Sequence, residues 1–251
     1  MTASMTPSMI RSEFRKLTTT RAPWLLLAAG PLLVVAGITG LVESGGNVHD
    51  PGTQRAALAH TGLAAVFTLI FGILAVAGEY RHSTITDTYL SSPRRSRVIA
   101  AKLAVYALAG AGAGLLSSGA ALATTAAWWA ERGGHLQLST ADTWLTLAGG
   151  VAANCALAAI GVGLGALIRN PAAAIAVALA WFALVEGIAG QLLGASLARW
   201  LPFYASEALG RSNLSATARL LPQWGGGLML LGYAAAFATA AVFITLRRDV
   251  T

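Results

Sequence analysis

The sequence predicts an all-α protein that crosses a membrane several times, and three observations predict it. Apolar residues make up 56% of the 251-residue chain and charged residues only 11%, with a mean hydropathy of +0.65. Soluble domains carry about a quarter charged residues, so this chain lacks the charge to coat a water-facing surface. The apolar residues also fall in runs of roughly 18 or more, the length that a bilayer demands of a spanning helix. Finally, the short segments between the runs alternate in their basic excess, as the two sides of a membrane do.

The first element is amphipathic. Over Met9–Thr20, Ile10, Phe14 and Leu17 share one helical face, and Arg11 and Arg15 flank it, placed to reach towards lipid phosphates. This reads as an interfacial helix along the inner leaflet, within a cytoplasmic segment covering residues 1–22. Arg21-Ala22-Pro23 then turns the chain into the bilayer, with Pro23 at a helix start. Residues 23–251 form the transmembrane unit. Six spans are expected, at Pro23–Val42, Ala56–Gly78, Val98–Trp129, Thr143–Ile168, Pro171–Leu193 and Trp224–Leu246. The third is longer than a bilayer needs, so it protrudes or tilts.

Charge gives the orientation. One side collects Arg11, Arg15, Lys16, Arg21, Arg81, Arg94, Arg95, Arg97, Lys102, Arg169, Arg247 and Arg248. On the other side Arg55, Arg132, Arg199, Arg211 and Arg219 are offset by Glu43, Asp50, Glu131, Asp142 and Glu207. The basic side is cytoplasmic, which places both termini inside. Trp128, Trp129, Trp144, Trp200 and Trp224 gather near the outer boundary, where an amphipathic ring anchors. No cleavable leader is expected, since the first span is long for one.

Two loops carry information. In the inner loop Glu79–Lys102, Thr84 and Asp87 have capping-box spacing, so a short helix is expected over about 82–92, ended by Pro93. Ile85 and Tyr89 would form a small apolar knob on it. Arg81, His82 and Thr86 complete a segment suited to docking another protein. The outer loop, about 194–223, contains Trp200-Leu-Pro-Phe-Tyr204 and Pro222. It predicts interfacial or re-entrant helices.

Within the spans, Glu186 and Asn154 stand out. A carboxylate in the outer half of the fifth span must face the protein interior, a cavity or a partner. Asn154 is placed to hydrogen-bond across helices. Gly110-x-x-x-Gly114 and Gly161-x-x-x-Gly165 permit close helix approach. The lone cysteine, Cys155, builds neither a disulfide nor a metal site. No phosphate-binding loop, metal-ligand spacing or nucleophile elbow is present in the sequence, so no catalytic residue, bound cofactor or metal is expected on this chain. The basic balance belongs to membrane topology, and no nucleic-acid partner is expected.

The order of these features resembles that of ABC-2-type exporter permeases, in particular compact six-span actinobacterial subunits. Arg11-Ser-Glu-Phe-Arg-Lys-Leu-Thr-Thr-Thr-Arg21 is similar to the family's elbow helix, and Gly78-Glu-Tyr-Arg-His-Ser-Thr-Ile-Thr86 to its cytoplasmic coupling helix. Ser92-Pro-Arg-Arg-Ser-Arg97 leads into the third span in the same way. At His82 and Ser83 the family has a variable residue, often glycine. The resemblance implies a non-catalytic subunit of the bacterial cell membrane. It would pair with a second copy or a paralogue and rest on two ATPase subunits that bind ATP and Mg. Export follows from the resemblance alone. From the residues alone, a stand-alone secondary transporter or channel using Glu186, and a membrane scaffold or immunity-type sensor, remain as alternatives.

Overall fold

A computed structural model describes residues 7–19, 21–85, 95–192, 195–212 and 220–247, and among these the chain is helical without strands. The helices are α1 (Pro7–Thr19), α2 (Arg21–Glu43), α3 (Pro51–Ala59), α4 (Ala65–Arg81), α5 (Arg95–Glu131), α6 (Ala141–Ile168), α7 (Pro171–Ala180), α8 (Gly187–Leu192), α9 (Ala195–Ala198), α10 (Pro202–Gly210) and α11 (Gln223–Arg247). A 3-10 turn, His60–Ala64, joins α3 to α4, and a π-helical turn, Trp181–Glu186, joins α7 to α8.

Local chemistry starts and stops these helices where it should. The Asp50 carboxylate accepts from the Thr53 N–H at 2.9 Å and Pro51 occupies the first turn of α3. Asn170 does the same for α7, accepting from the Ala173 N–H at 3.0 Å ahead of Pro171. Between α6 and α7, Arg169 takes the left-handed conformation at φ 60° and ends α6.

Five helical stretches are long and apolar enough to cross a membrane: Pro23–Glu43, Pro51–Arg81, Ser96–Glu131, Ala141–Ile168 and Gln223–Phe243. The exterior matches that reading. Trp24, Leu25 and Leu32 on α2, and Trp224, Leu228 and Leu231 on α11, are exposed apolar side chains that only a lipid surrounding would accommodate. The second stretch is one run of α3 and α4 joined through the 3-10 turn. The third, 37 residues as α5, is about 55 Å long at 1.5 Å per residue, well beyond a hydrocarbon core.

The expected fifth span, Pro171–Leu193, differs from the other expected spans. Its apolar helix is the shorter Pro171–Glu186, and its hydrogen-bond pattern widens to a π turn before Glu186. The π turn ends at Glu186, whose carboxylate is turned inward to α10.

At the centre stands α6, which touches α3, α4, α5, α7, α10 and α11. Its glycines let neighbours approach at backbone distance. A side chain on Gly161 would strike the Leu69 carbonyl of α4, and one on Gly165 would come within 2.5 Å of the Ile73 carbonyl. The other small-residue pair faces the same post from α5: a Cβ on Gly110 would sit 2.7 Å from the Asn154 carbonyl, and one on Gly114 2.8 Å from Val151 Cα. Both glycine pairs therefore contact along α6. In lipid, where apolar burial drives nothing, such close approach supplies the dispersion that holds helices together.

Gly161→Leu should lower stability by about 1–3 kcal/mol through overpacking, read as a lower thermal midpoint and loss of monodispersity in detergent. Gly119→Leu is its control, because nothing lies within 4 Å of a Cβ there and the midpoint should hold. Equal midpoints for the two variants would refute the central-post packing.

Candidate functional site

Helix α1, the C-terminal end of α4 and the N-terminal part of α5 meet around four charged side chains. On α1, the face carrying Met9, Glu13, Lys16 and Leu17 turns inward at helical spacing. Glu79 sits near the C-terminal end of α4, and Lys102 lies about two turns into α5. Leu17 joins Phe71, Ala75, Val76 and Ile99 in the apolar cluster beneath them.

These side chains close a ring. Lys16 Nζ donates to Glu13 Oε1 at 2.8 Å and to Glu79 Oε1 at 2.6 Å. Lys102 Nζ donates to Glu13 Oε2 at 2.8 Å, to the same Glu79 Oε1 at 2.8 Å, and to the Ala75 carbonyl at 3.0 Å. Lys102 is 0% exposed, and its three ammonium protons have three acceptors. Opposite charges balance, so the ring is neutral as a unit. Burial alone would lower the pKa of Lys16, but its bonds and attraction to Glu13 and Glu79 outweigh that and raise it above 10.5, so the ammonium stays charged. Glu79 Oε2 is buried and has no hydrogen-bond partner among the described residues, which makes Glu79 the under-satisfied corner.

Beyond Glu79 the chain leaves α4 through a Schellman turn. Ser83 adopts φ 56°, its N–H bonds to the Tyr80 carbonyl at 3.3 Å, and the Thr84 N–H bonds to the Glu79 carbonyl at 3.0 Å. The left-handed residue of such a turn favours glycine. Serine here bears the conformational cost.

The sequence-predicted docking residues divide. Arg81, His82 and Thr84 are exposed. Ile85 is only 3% exposed and packs with Met9, Tyr80 and Val98. It is therefore an anchor for the loop and no outward knob, which corrects the expectation for that residue. The physical reason is local: an apolar side chain one residue past the Schellman turn finds the α1–α5 crevice before it finds a partner. Thr86, Asp87 and Tyr89 lie outside the described residues. On α1, Ile10 and Phe14 are exposed at 39% and 62%, as are Arg11 and Arg15, while Leu17 is buried. The expected apolar face is thus split between the outside and the bundle.

Glu186 is 1% exposed and is spent on structure. Its oxygens accept from Trp181 Nε1 at 3.0 Å, from the Phe203 N–H at 2.9 and 3.1 Å, and from the Tyr204 N–H at 3.3 Å. A carboxylate there satisfies the orphan donors and the positive end of α10. Asn154 is buried on α6 and donates to the Gly150 carbonyl at 2.9 Å and across to the Thr61 carbonyl at 3.3 Å.

The residues Glu13, Glu79 and Lys102 escape sequence reading as a site, because each resembles ordinary inner-face polarity. A signal does exist: Lys16 and Lys102 are the only lysines in an arginine-rich chain, and both lie in the ring. Among the described residues no group of histidine, cysteine or carboxylate side chains has metal-binding geometry. No protein-family model and no curated protein sequence matches the chain.

Substitutions in the ring and at Glu186 test these arrangements. Lys102→Met should destabilise by about 3–5 kcal/mol, because Glu79 and Glu13 lose a buried counter-charge. Adding Glu79→Gln should recover part of that loss, since the remaining Glu13–Lys16 pair is neutral. Thermal midpoints of the two single variants and the double variant measure the coupling, and strict additivity would show that no ring exists. Glu186→Leu should cost about 1–3 kcal/mol through unsatisfied donors at α10, whereas Glu186→Gln, which keeps an acceptor, should cost less. Equal midpoints for the two would remove Glu186 from the cap.

Proposed function

We propose that this chain is the membrane-embedded permease subunit of an ATP-binding-cassette exporter of the ABC-2 type. In this reading six spans are completed by Pro171–Leu192, and both termini lie in the cytoplasm. Two copies, or one copy and a paralogue, enclose the substrate pathway, and two separate ATPase subunits hold ATP and Mg beneath them. The membrane is the bacterial cell membrane.

The observation that carries the reading is the ionic ring that ties α1, α4 and α5 together beside residues 82–85. A subunit driven from outside needs a place to receive force and a rigid connection from that place to its bilayer helices. Arg81, His82 and Thr84 supply an exposed surface at the loop. Ile85 fixes the loop to Met9 on α1 and Val98 on α5, and the ring locks the same elements a turn deeper. A push on the loop then moves three helices as one body. The open valence at Glu79 Oε2 leaves room for a second hydrogen-bond arrangement when α4 and α5 shift, as a two-state element requires.

Glu186 supports this reading over proton-driven transport, because its carboxylate is occupied by the N-terminus of α10.

Coexpression with an ATPase encoded beside it should give a complex that copurifies and hydrolyses ATP. Ile85→Asp should release the loop and lower cargo-stimulated hydrolysis roughly tenfold, within the usual range of coupling energies. Cargo movement in proteoliposomes by the purified chain alone, without any ATPase, would overturn the reading.

A further inference from the structure

Helices α4 and α6 run side by side in the same direction, Leu69 against Gly161 and Ile73 against Gly165, so the start of α6 lies at the end of the bundle away from the ring. There, where α11 also begins, is a cavity of about 440 Å³, within the range of about 300–1,000 Å³ typical of ligand pockets. Arg55 of α3 and Arg211, which ends α10, stand on its wall, and among the described residues they are the only charged side chains there. Leu145, Ala208, Leu220 and Leu221 make the apolar part of the wall.

The two guanidiniums share one carboxylate. Asp142, in the first turn of α6, pairs closely with Arg211 and meets Arg55 Nη1 only at 3.5 Å, the limit of a hydrogen bond. A guanidinium has five N–H donors and cannot lose its charge, so Asp142 leaves most of these donors unused. Two other acids lie close in sequence, and neither lines the cavity. The Asp50 carboxylate is bonded to the Thr53 N–H and hydroxyl at 2.9 and 3.1 Å, and Glu207 is 3% exposed. From residue 208 to 248 the sequence contains no acid. Two permanent cations thus face one carboxylate. An oxyanion balances the remainder and suits the planar fork of a guanidinium.

The level of the cavity adds the second requirement. Trp144 and Trp224 adjoin the lining residues Leu145 and Gln223 and are 54% and 71% exposed. Exposed indoles at the ends of crossing helices mark the headgroup level. A charged group and an apolar wall at that level match a molecule with an anionic head and a hydrocarbon tail.

We propose that this cavity binds one amphiphilic anion, with its oxyanion head held by Arg55 and Arg211 and its tail against Leu145, Leu220 and Leu221. A phospholipid of the adjoining leaflet and a single-chain anion share that chemistry. Asp142 competes with the head for the same guanidiniums. The site is built from this chain alone and stands whether or not an ATPase is the partner.

The full chain, purified and stripped of lipid in a neutral detergent, is titrated with two matched pairs: phosphatidylglycerol against phosphatidylcholine, and dodecyl phosphate against dodecanol. Glycerol phosphate, a head without a tail, is the fifth probe. Native mass spectra and thermal midpoints are recorded. The anion of a pair should be retained at one per chain in preference to its counterpart, and glycerol phosphate should not be retained. Arg55→Gln should weaken the preference about fivefold. Asp142→Asn should strengthen it by about the same factor, a gain that loss of stability cannot mimic. Arg132→Gln is the control: it removes an arginine paired with Glu43 at 3.7 Å, outside the cavity, and should change nothing.

A preference for phosphatidylglycerol alone assigns the site to a bilayer lipid, and one for dodecyl phosphate alone to a single-chain anion; either upholds it. No preference in either pair, or retention of glycerol phosphate as well as phosphatidylglycerol, would overturn the proposal. So would an unchanged preference in Arg55→Gln, an equal loss in Arg132→Gln, or no gain in folded Asp142→Asn. Should Asp142→Asn fail to fold, Arg55→Gln decides, because Arg55 is exposed.

Discussion

Two lysines and two glutamates close on one another where three helices meet, with Lys102 fully buried and the Lys16 side chain, 40% exposed, at the open edge. Lys102, Glu13 and Glu79 alone would each face a desolvation penalty that low-dielectric surroundings do not forgive. Closed into a ring, the same four charges cancel, and the Lys102 ammonium, the most deeply buried, has every proton bonded. Since α1, α4 and α5 each contribute a corner, the ring exists only when all three are docked. The position of the elbow helix follows from that condition, and so do the burial of Leu17 beneath it and the seating of Ile85 beside it.

The rest of the bundle is held by a different force. Glycines on α6 and α5 let backbones come so close that dispersion takes over the role that apolar burial plays in water. Polar ties then fix the register of the outer half. Asn154 bridges to the Thr61 carbonyl, Glu186 caps α10, and Gln223 donates to the Leu145 and Leu209 carbonyls at 2.7 and 3.0 Å. Asp142 takes ion pairs from Arg211 and, at 3.5 Å, from Arg55. One end of the bundle is thus fastened by a single concentrated ionic ring and the other by dispersed hydrogen bonds and more exposed ion pairs.

Particular residues show how far the sequence carries. The boundaries of Ala141–Ile168 and Gln223–Phe243 were legible within a few residues, because a long apolar run in lipid has few alternatives to a helix. The break at Trp181–Glu186 was not, since a π turn leaves no trace in periodicity when every neighbour is apolar. Ile85 was legible as an apolar residue on a capped turn, but whether it faced out or in depended on a crevice built by Met9 and Val98 from elsewhere in the chain. Glu186 was legible as a costly carboxylate, and only the position of Phe203 and Tyr204 made it a helix cap.

What the sequence alone determined was the all-helical, membrane-crossing character of the chain and its amphipathic first helix. Both are set by composition and by residues within a few positions of one another. What only the tertiary structure decided was the partnership of Glu13, Lys16, Glu79 and Lys102, drawn from positions up to 89 residues apart. No local pattern distinguishes a lysine that faces headgroups from one that must be buried. The distinction arises when two glutamates from other helices arrive within bonding distance and make burial affordable.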